Sequence, residues 1–134
     1  MKIDNSRIES VAVDAVNTYI SDRTRKLSGK LEKSDTGISV DGEIISFTDS
    51  ERKVATFDGT IPVQVKGKKV DTISEKSARF GNFDVNTFKN FMKLDGVLVF
   101  LVEQVYEDGL IKEKQIFYKY LDNLELINII TNIQ

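Results

Sequence analysis

The sequence contains neither cysteine nor histidine among its 134 residues. Without cysteine the chain has no disulfide, no thiol nucleophile and no zinc site built on cysteine. Without histidine it has no Ser-His-Asp triad, no imidazole general base and no histidine-bound metal. Any chemistry must therefore use carboxylates, amides, hydroxyls, lysine and arginine.

Long apolar runs and an excess of one charge are also missing. No stretch approaches the roughly 18 uninterrupted apolar residues of a membrane span, and the opening segment MKIDNSRIES lacks the apolar core of a signal peptide, so we expect a cytoplasmic protein. The 19 basic and 21 acidic residues give a net charge of -2, which argues against a broad phosphate-binding face. The length predicts one domain over residues 1–134, either complete or part of a larger assembly.

The chain begins with the pattern of an amphipathic helix. Apolar residues recur at spacings of three and four over residues 5–21, and Asn5 or Ser6 can cap the helix. Glu9 falls in the expected first turn, near the positive end of the helix dipole. The period of 3.6 residues puts Glu9 at the margin of the apolar face.

Three strands are expected after this helix. β-branched residues and period-two alternation place them at residues 26–33, 38–47 and 61–66. The dipeptide Asp58-Gly59 predicts a hairpin turn before the third strand. Gly67 is expected to end that strand, because glycine weakens a strand interior.

The second half predicts a helix, two strands and a last helix. Residues 85–94 have apolar side chains at helical spacing, and residues 96–105 form a continuous apolar run typical of a strand buried on both faces. A turn at 107–109 precedes a strand at 114–120, and residues 121–133 are apolar with helical spacing. The expected architecture is α/β, with helices flanking a mixed sheet.

Polar residues alternate with apolar ones on the second and third strands. If these strands form a hairpin with their apolar faces on one side, Asp41 shares a face with Gln64 and Lys66, and Glu9 can approach from the first helix. Such oxygen ligands suit Mg²⁺, and a lysine nearby can orient a water or stabilise a phosphoryl oxygen. The structural alternative is that Asp41 is a solvated acid beside a turn and Lys66 is a strand-end lysine.

The same pattern resembles the PD-(D/E)xK nuclease superfamily, which has a restriction-endonuclease-like αβββαβ core. The resemblance rests on an early strand acid, a following (Asp/Glu/Gln)-x-Lys motif and a glutamate on the first helix. The segments DTGI, DGEI and VQVK are similar to the Mrr-like and Holliday-junction-resolvase-like branch. The segments RIESVAVDAV, FMKLDGVLVFLVEQV and KQIFYKYL resemble a bacterial family catalogued as domain of unknown function 4365.

This resemblance implies a role for each matching residue. Glu9, Asp41 and Gln64 would bind the metal, with Gln64 at the position of the motif's second acid, and Lys66 would be the catalytic lysine acting with Asp41 and Gln64. Asp35 competes with Asp41 for the ligand role, because two residues separate the Gly-Ile dipeptide from Asp41. Strand alternation favours Asp41, since Asp35 lies in a turn.

The implied activity is a nuclease, dependent on Mg²⁺ or Mn²⁺, that hydrolyses DNA phosphodiester bonds in restriction or anti-phage defence. Lys68, Lys69, Arg23 and Arg25 would contact DNA phosphates near the site. The alternative is a catalytically silent module of the same fold that binds nucleic acid or protein. The apolar helix at 121–133 packs in the core or offers a surface to a second subunit or domain.

Overall fold

The computed structural model describes residues 3–22, 26–29, 31, 41–78, 89, 93 and 96–122. The elements within them are α1 (Asn5–Ile20), β1 (Leu27–Ser28), β2 (Gly42–Phe47), β3 (Phe57–Lys69), β4 (Val97–Glu107) and β5 (Leu110–Leu121), with a 3-10 turn at Val54–Thr56. A helix packed on a mixed sheet makes this an α/β protein, so the coarse prediction of fold class is confirmed. No helix among these residues is long and apolar enough to cross a membrane.

The five strands form one sheet in the order β1-β2-β3-β4-β5. Only the β3–β4 pair is parallel, and the other three pairs are antiparallel. The predicted apolar strand is β4, which lies between β3 and β5 and is buried on both faces, as expected from its composition. Leu27–Ser28, within the range predicted for the first strand, form β1.

The N-cap of helix α1 lies one residue before the first of its two predicted caps, Asn5. Asp4 has an extended backbone and its carboxylate accepts a hydrogen bond from the amide of Arg7 at 2.8 Å, so Asp4 is the N-cap. The prediction of Asn5 or Ser6 was wrong because both residues are already helical. Glu9 consequently lies beyond the first turn, and its expected place at the positive helix end was also wrong.

The apolar stripe of α1 packs on one face of the sheet, over β3 and its neighbours. The buried residues in this core come from α1 and four of the strands or their flanks: Ala12, Val13, Ala15, Val16, Ile20, Leu31, Ile44, Val63, Val65, Phe100 and Val102. Glu9 is partly buried at the margin of this stripe, as the helical period predicts. The stripe therefore holds α1 directly above the strand that carries the candidate motif.

Strand β3 is longer than predicted at both ends. Asp58 and Gly59 lie inside it, so the hairpin turn is formed by residues 48–56 instead. Gly67 also lies inside β3 and does not end it. A Cβ there would come within 2.6 Å of the carbonyl oxygen of Ile8, so glycine is required because α1 approaches the strand at this point.

The β4–β5 hairpin turns where the sequence predicts. Asp108 and Gly109 form a two-residue connection, and both have positive φ, at 53° and 78°. β5 starts at Leu110, four residues before its predicted start, because its pairing with β4 continues to the turn. Leu121 closes β5 and is not helical, so the start of the predicted last helix was wrong.

Other predictions fall outside the described residues. Within 85–94 only Lys89 and Lys93 are described, and both have helical backbone. The predicted ligand alternative Asp35, the predicted phosphate contacts Arg23 and Arg25, and residues 123–133 of the predicted last helix all lie outside.

Candidate functional site

The candidate site lies on one edge of β3, where its neighbour β2 ends. The last paired residues are Gly42 of β2 and Val63 of β3, while β3 continues to Lys69. Beyond Val63, two carboxylates bind the strand edge. Asp41 Oδ2 accepts from the amide of Val65 at 2.7 Å, and Glu9 Oε1 accepts from the amide of Gly67 at 3.3 Å.

Asp41 is held by both its main chain and its side chain. Its amide donates to the carbonyl oxygen of Val63 at 2.8 Å, and its carboxylate caps the next amide on the same edge, that of Val65. The following residue, Gly42, has a φ of 147°, which an L side chain rarely adopts. Glycine at this position lets the chain leave Asp41 folded back along the strand.

Glu9 is positioned through the close approach of α1. The carbonyl oxygen of Ile8 lies against Gly67 and accepts a hydrogen bond from Gln104 Nε2 at 2.9 Å. Gln104 is fully buried on β4. These two contacts fix the helix beside β3. The side chain of the next residue, Glu9, therefore reaches the edge of that strand.

The two carboxylates are neighbours in space although 32 positions separate Glu9 from Asp41 in sequence. They bind amides two residues apart on an extended strand, which places those amides about 7 Å from one another. A strand N–H lies near the plane of the sheet, so both acceptors lie at the sheet edge and not over a face. The two acids together face the main chain of Val65 and its neighbours.

Gln64 and Lys66 share the face of β3 that points away from α1. Their partners across the parallel pair are Val99 and Leu101, both buried. The side-chain oxygen of Gln64 is buried and has no hydrogen-bond partner among the described residues. Buried acceptors nearly always have a partner or an ion, so this oxygen is the clearest chemical irregularity at the site.

Lys68 and Lys69, the two lysines of β3 that are predicted to contact phosphates, point to opposite faces of the sheet. Lys68 is partly buried on the face of Lys66, and Lys69 is exposed on the opposite face, because successive strand residues alternate. Lys68 lies opposite Glu103 of β4, which is 1% exposed. The carboxylate of Glu103 accepts from the amide and the hydroxyl of Ser74 at 2.8 and 2.9 Å, which holds the segment after β3 on this face.

Sequence reasoning missed the polar network that supports α1. Gln104 accepts a short hydrogen bond from the hydroxyl of Tyr106. Arg7 lies over the ring of Tyr106, 5.4 Å from its centroid, and donates to the carbonyl oxygen of Gly109 at 2.7 Å. Burial raises the pKa of Tyr106, and Arg7 opposes part of that rise. The signal was the Glu-Gln pair at 103–104, which interrupts an otherwise apolar strand.

Among the described residues, no group of three or more acidic side chains is arranged to hold a metal. The potential ligands are two carboxylates, of Glu9 and Asp41, and the amide oxygen of Gln64. In an extended strand the carbonyl and amide of one residue point to the same side, so the carbonyl of Val65 faces the same edge as the two acids. This is a mixed oxygen donor set with two negative charges.

At this level the molecule is an α/β protein with two acids bound to the edge of β3 and a lysine in the same strand. Comparisons with family models, with curated proteins and with solved structures give no match. The resemblance to PD-(D/E)xK nucleases thus stays a prediction from the residues of this chain.

Proposed function

We propose that this protein is a metal-dependent nuclease domain that hydrolyses DNA phosphodiester bonds, with restriction or anti-phage defence as its setting. The observation that carries the proposal is the pair of acids on the edge of β3. Asp41 and Glu9 bind the amides of Val65 and Gly67, on either side of Lys66. Two acids and a lysine on one short stretch of strand are the parts that phosphodiester hydrolysis needs.

The donor set fits a hard divalent cation. Mg²⁺ and Mn²⁺ prefer oxygen ligands, and Mg²⁺ commonly takes one or two carboxylates with the rest from water and phosphate. Glu9, Asp41 and Gln64 would supply the side-chain oxygens, and Val65 a carbonyl. The buried oxygen of Gln64, to which no residue in the described ranges donates a hydrogen bond, supports this assignment. A bound cation polarises a phosphoryl oxygen and makes a coordinated water more acidic.

The residues of the chain would contribute positioning and charge. The amides of Val65 and Gly67 hold the two carboxylates in place, so little reorganisation is needed at the moment of reaction. Lys66 would orient the attacking water and stabilise the negative charge that builds on the phosphoryl oxygens. Lys68 would contact a neighbouring phosphate from the same face, and Lys69 one from the other face.

The second candidate function is a catalytically silent module that binds nucleic acid or protein. One observation favours it. Asp41 and Glu9 already accept hydrogen bonds from the main chain, and the described residues include no third acid beside them. A carboxylate that mainly accepts hydrogen bonds from the amides of a strand edge has a structural role. The neutral Gln64 adds no negative charge that would attract a cation.

Plasmid cleavage separates these two functions. We expect wild-type protein to nick or cut supercoiled DNA with Mg²⁺ or Mn²⁺ and to be inactive in EDTA. Asp41→Asn and Lys66→Met should each lower the rate by a factor of about 100 or more, because each removes a charge on which the reaction depends. Asparagine keeps an oxygen for the amide of Val65, so this variant tests charge with little change in folding.

Matched controls are available elsewhere on the sheet. Asp58→Asn removes an exposed acid at the other end of β3, and Lys53→Met removes an exposed lysine; both variants should cleave like wild type. A rise in melting temperature on adding Mn²⁺, lost in Asp41→Asn, measures cation binding independently of cleavage. Cation binding without cleavage of any DNA or RNA, or cleavage that survives Lys66→Met, would sink the nuclease proposal.

A further inference from the structure

Two tyrosines on β5 are largely exposed although both belong to a strand of the sheet. Tyr118 is 68% exposed and Tyr120 is 48% exposed. They lie opposite Phe100 and Leu98, which puts both rings on the face of the sheet that carries α1. Positions two apart on an extended strand are about 7 Å apart, so the rings lie side by side along β5.

Both rings are held by the protein beneath them. The ring of Tyr118 packs against that of Phe100, with centroids 6.3 Å apart. The hydroxyl of Tyr120 lies over Gly96, where a Cβ would come within 2.6 Å of it. Aromatic side chains that are exposed but already fixed lose little conformational entropy when a ligand covers them. We refer to Tyr118 and Tyr120 as the tyrosine pair.

A groove runs beside the tyrosine pair, between α1 and β5. Its volume is about 380 Å³, and its lining includes Thr18 and Tyr19 of α1 and Lys114, Ile116 and Tyr118 of β5. Among the described residues that line it, Lys114 carries the only charge. The groove is therefore apolar and aromatic, with one positive group at its wall.

Charge distinguishes between the classes of ligand that such a groove can take. On the face of β5 that carries the tyrosine pair, Lys114 supplies positive charge in a chain whose net charge is -2, whereas Lys119 lies opposite Val99 and therefore on the other face. Lys112 is paired with Glu107 at 3.5 Å, and Lys114 lines the groove. A local positive charge beside rigid aromatic faces complements an anionic backbone that carries flat apolar bases.

We propose that the tyrosine pair and its groove bind single-stranded DNA. Successive bases stack on the rings of Tyr118 and Tyr120, and Lys114, which comes before Tyr118 on the same face of β5, contacts a phosphate on the side of Tyr118 away from Tyr120. A duplex is excluded, because its bases are already paired and stacked and cannot cover an aromatic ring. The choice of DNA over RNA rests on the proposed function, whereas stacking and phosphate contact require only a single strand.

This surface is distinct from the candidate cleavage site. The two acids lie on the far edge of β3, and β4 separates β3 from β5, so two strand spacings of about 4.8 Å lie between the sites. Binding at β5 needs no cation. The two functions can therefore fail separately.

Fluorescence anisotropy in EDTA tests the proposal. A labelled 12-nucleotide oligo(dT) should bind wild-type protein at low salt, and Tyr118→Ala and Tyr120→Ala should each weaken binding by about tenfold. Tyr118→Phe should bind like wild type, because the ring remains. Lys114→Gln should lower the slope of log affinity against log salt by about one unit. The chain has no tryptophan and four tyrosines, so tyrosine fluorescence should be quenched on binding.

Controls identify the surface and the ligand. Phe57→Ala removes a 54% exposed ring at the start of β3, two strands away from β5, and should leave binding unchanged. Equal binding by wild type and both alanine variants overturns the proposal. Equal or tighter binding of a 12-base-pair duplex or of an oligo(U) also overturns it. Equal or tighter binding of an acidic peptide of equal charge overturns it as well, because the groove would then belong to a protein partner.

The same measurements separate this inference from the proposed function. Anisotropy in EDTA reports binding without cleavage, so the loss of binding in Tyr118→Ala should not depend on whether the protein cleaves DNA. Tyrosine-dependent binding by a protein that cleaves no nucleic acid sinks the nuclease and supports the tyrosine pair. Cleavage that depends on Lys66, without tyrosine-dependent binding, supports the nuclease and overturns the binding role of the tyrosine pair.

Discussion

The side-chain oxygen of Gln64 is buried, and the described part of the chain offers it no hydrogen-bond partner. Leaving an acceptor in this state costs about 1–3 kcal/mol. A residue that carried only a structural role in β3 would avoid this cost by being apolar, as its neighbours Val63 and Val65 are. This buried acceptor is the observation on which the proposed role of Gln64 as a cation ligand rests.

Gln64→Met removes this oxygen with little change in side-chain shape. In EDTA we expect the free energy of unfolding to be unchanged or higher by up to about 1 kcal/mol, because no hydrogen bond is lost. Gln64→Glu should lower it in EDTA by burying a charge, and Mn²⁺ should restore it. Urea unfolding with and without Mn²⁺ measures both effects.

The exposed Gln115→Met is the matched control and should change the free energy of unfolding by less than about 0.5 kcal/mol. A loss of more than about 1 kcal/mol in Gln64→Met would show that the oxygen of Gln64 has a partner. In that case Gln64 is a structural residue, and the ligand set reduces to the two acids.

At the scale of elements, the contact of α1 with β3 determines whether the two acids meet. Gly67 carries this contact, since the carbonyl oxygen of Ile8 occupies the space of a side chain there. The side chain of Gln104, on β4, donates a hydrogen bond to the same carbonyl oxygen. Glu9 then follows Ile8 to the strand edge. A residue that the sequence marks as a strand terminator is therefore a docking point for the helix.

Gly67→Ala should lower the free energy of unfolding by about 1–3 kcal/mol, because the new methyl group overpacks against α1. It should also weaken the shift of melting temperature caused by Mn²⁺, since Glu9 moves with the helix. Gly59→Ala lies in the same strand with nothing within 4 Å of its Cβ position, and should change stability by less than about 0.5 kcal/mol. Equal stability of the two variants would contradict the close approach of α1.

At the scale of the whole molecule, one polar network joins α1, β4 and the β4–β5 turn. Arg7 binds the carbonyl of Gly109 and lies over Tyr106, and Tyr106 in turn donates to the buried Gln104. Local sequence patterns could not predict this network, because Arg7 and Gly109, whose carbonyl oxygen it binds, are 102 residues apart in sequence. It ties the first helix to the second half of the chain.

The network predicts how global stability depends on pH. Burial raises the pKa of Tyr106 above its ordinary value of 10.0, so the folded state binds more protons than the unfolded state at alkaline pH. The stabilisation is complete below pH 10.0 and is lost as pH rises through the folded-state pKa. Tyr106→Phe lacks this dependence.

We therefore expect Tyr106→Phe to be less stable than wild type by about 1 kcal/mol near neutral pH, because the buried Gln104 loses its donor. The difference should shrink above pH 10.0. Thermal unfolding of both proteins across this range measures it. Tyr118→Phe, whose ring is mostly exposed, is the control and should keep a constant offset; a constant offset for Tyr106→Phe would contradict the assignment.

Local patterns were enough to predict most of the elements. The helical period located α1 within a residue, and the continuous apolar run located β4, because each pattern follows from the neighbours of a residue in sequence. The limits of β3 were not predictable in this way. Asp58 and Gly59 suit a turn locally, but Gly59 and Phe57 both pair with β2, which keeps Asp58 between them in the strand as the extra residue of an irregularity.

The residues of the candidate site were named from the sequence, but their arrangement was not. Alternation places Gln64 and Lys66 on one face, as expected. The position of Asp41 and Glu9 at the strand edge depends on where β2 stops and on how closely α1 packs, and neither is a local property. Gln104 and Tyr106 were missed because their roles exist only across elements.

The sequence by itself determined which chemistry is available, since a chain without histidine and cysteine leaves carboxylates, amides and lysine. It also determined the order of the helix and the strands, through hydrophobic periodicity. Only the tertiary structure decided that two acids meet on one edge of β3 and that two tyrosines lie exposed on β5. The physical reason is that strand pairing and helix packing are contacts between distant residues, and these contacts decide which amides lack a strand partner and which rings stay uncovered.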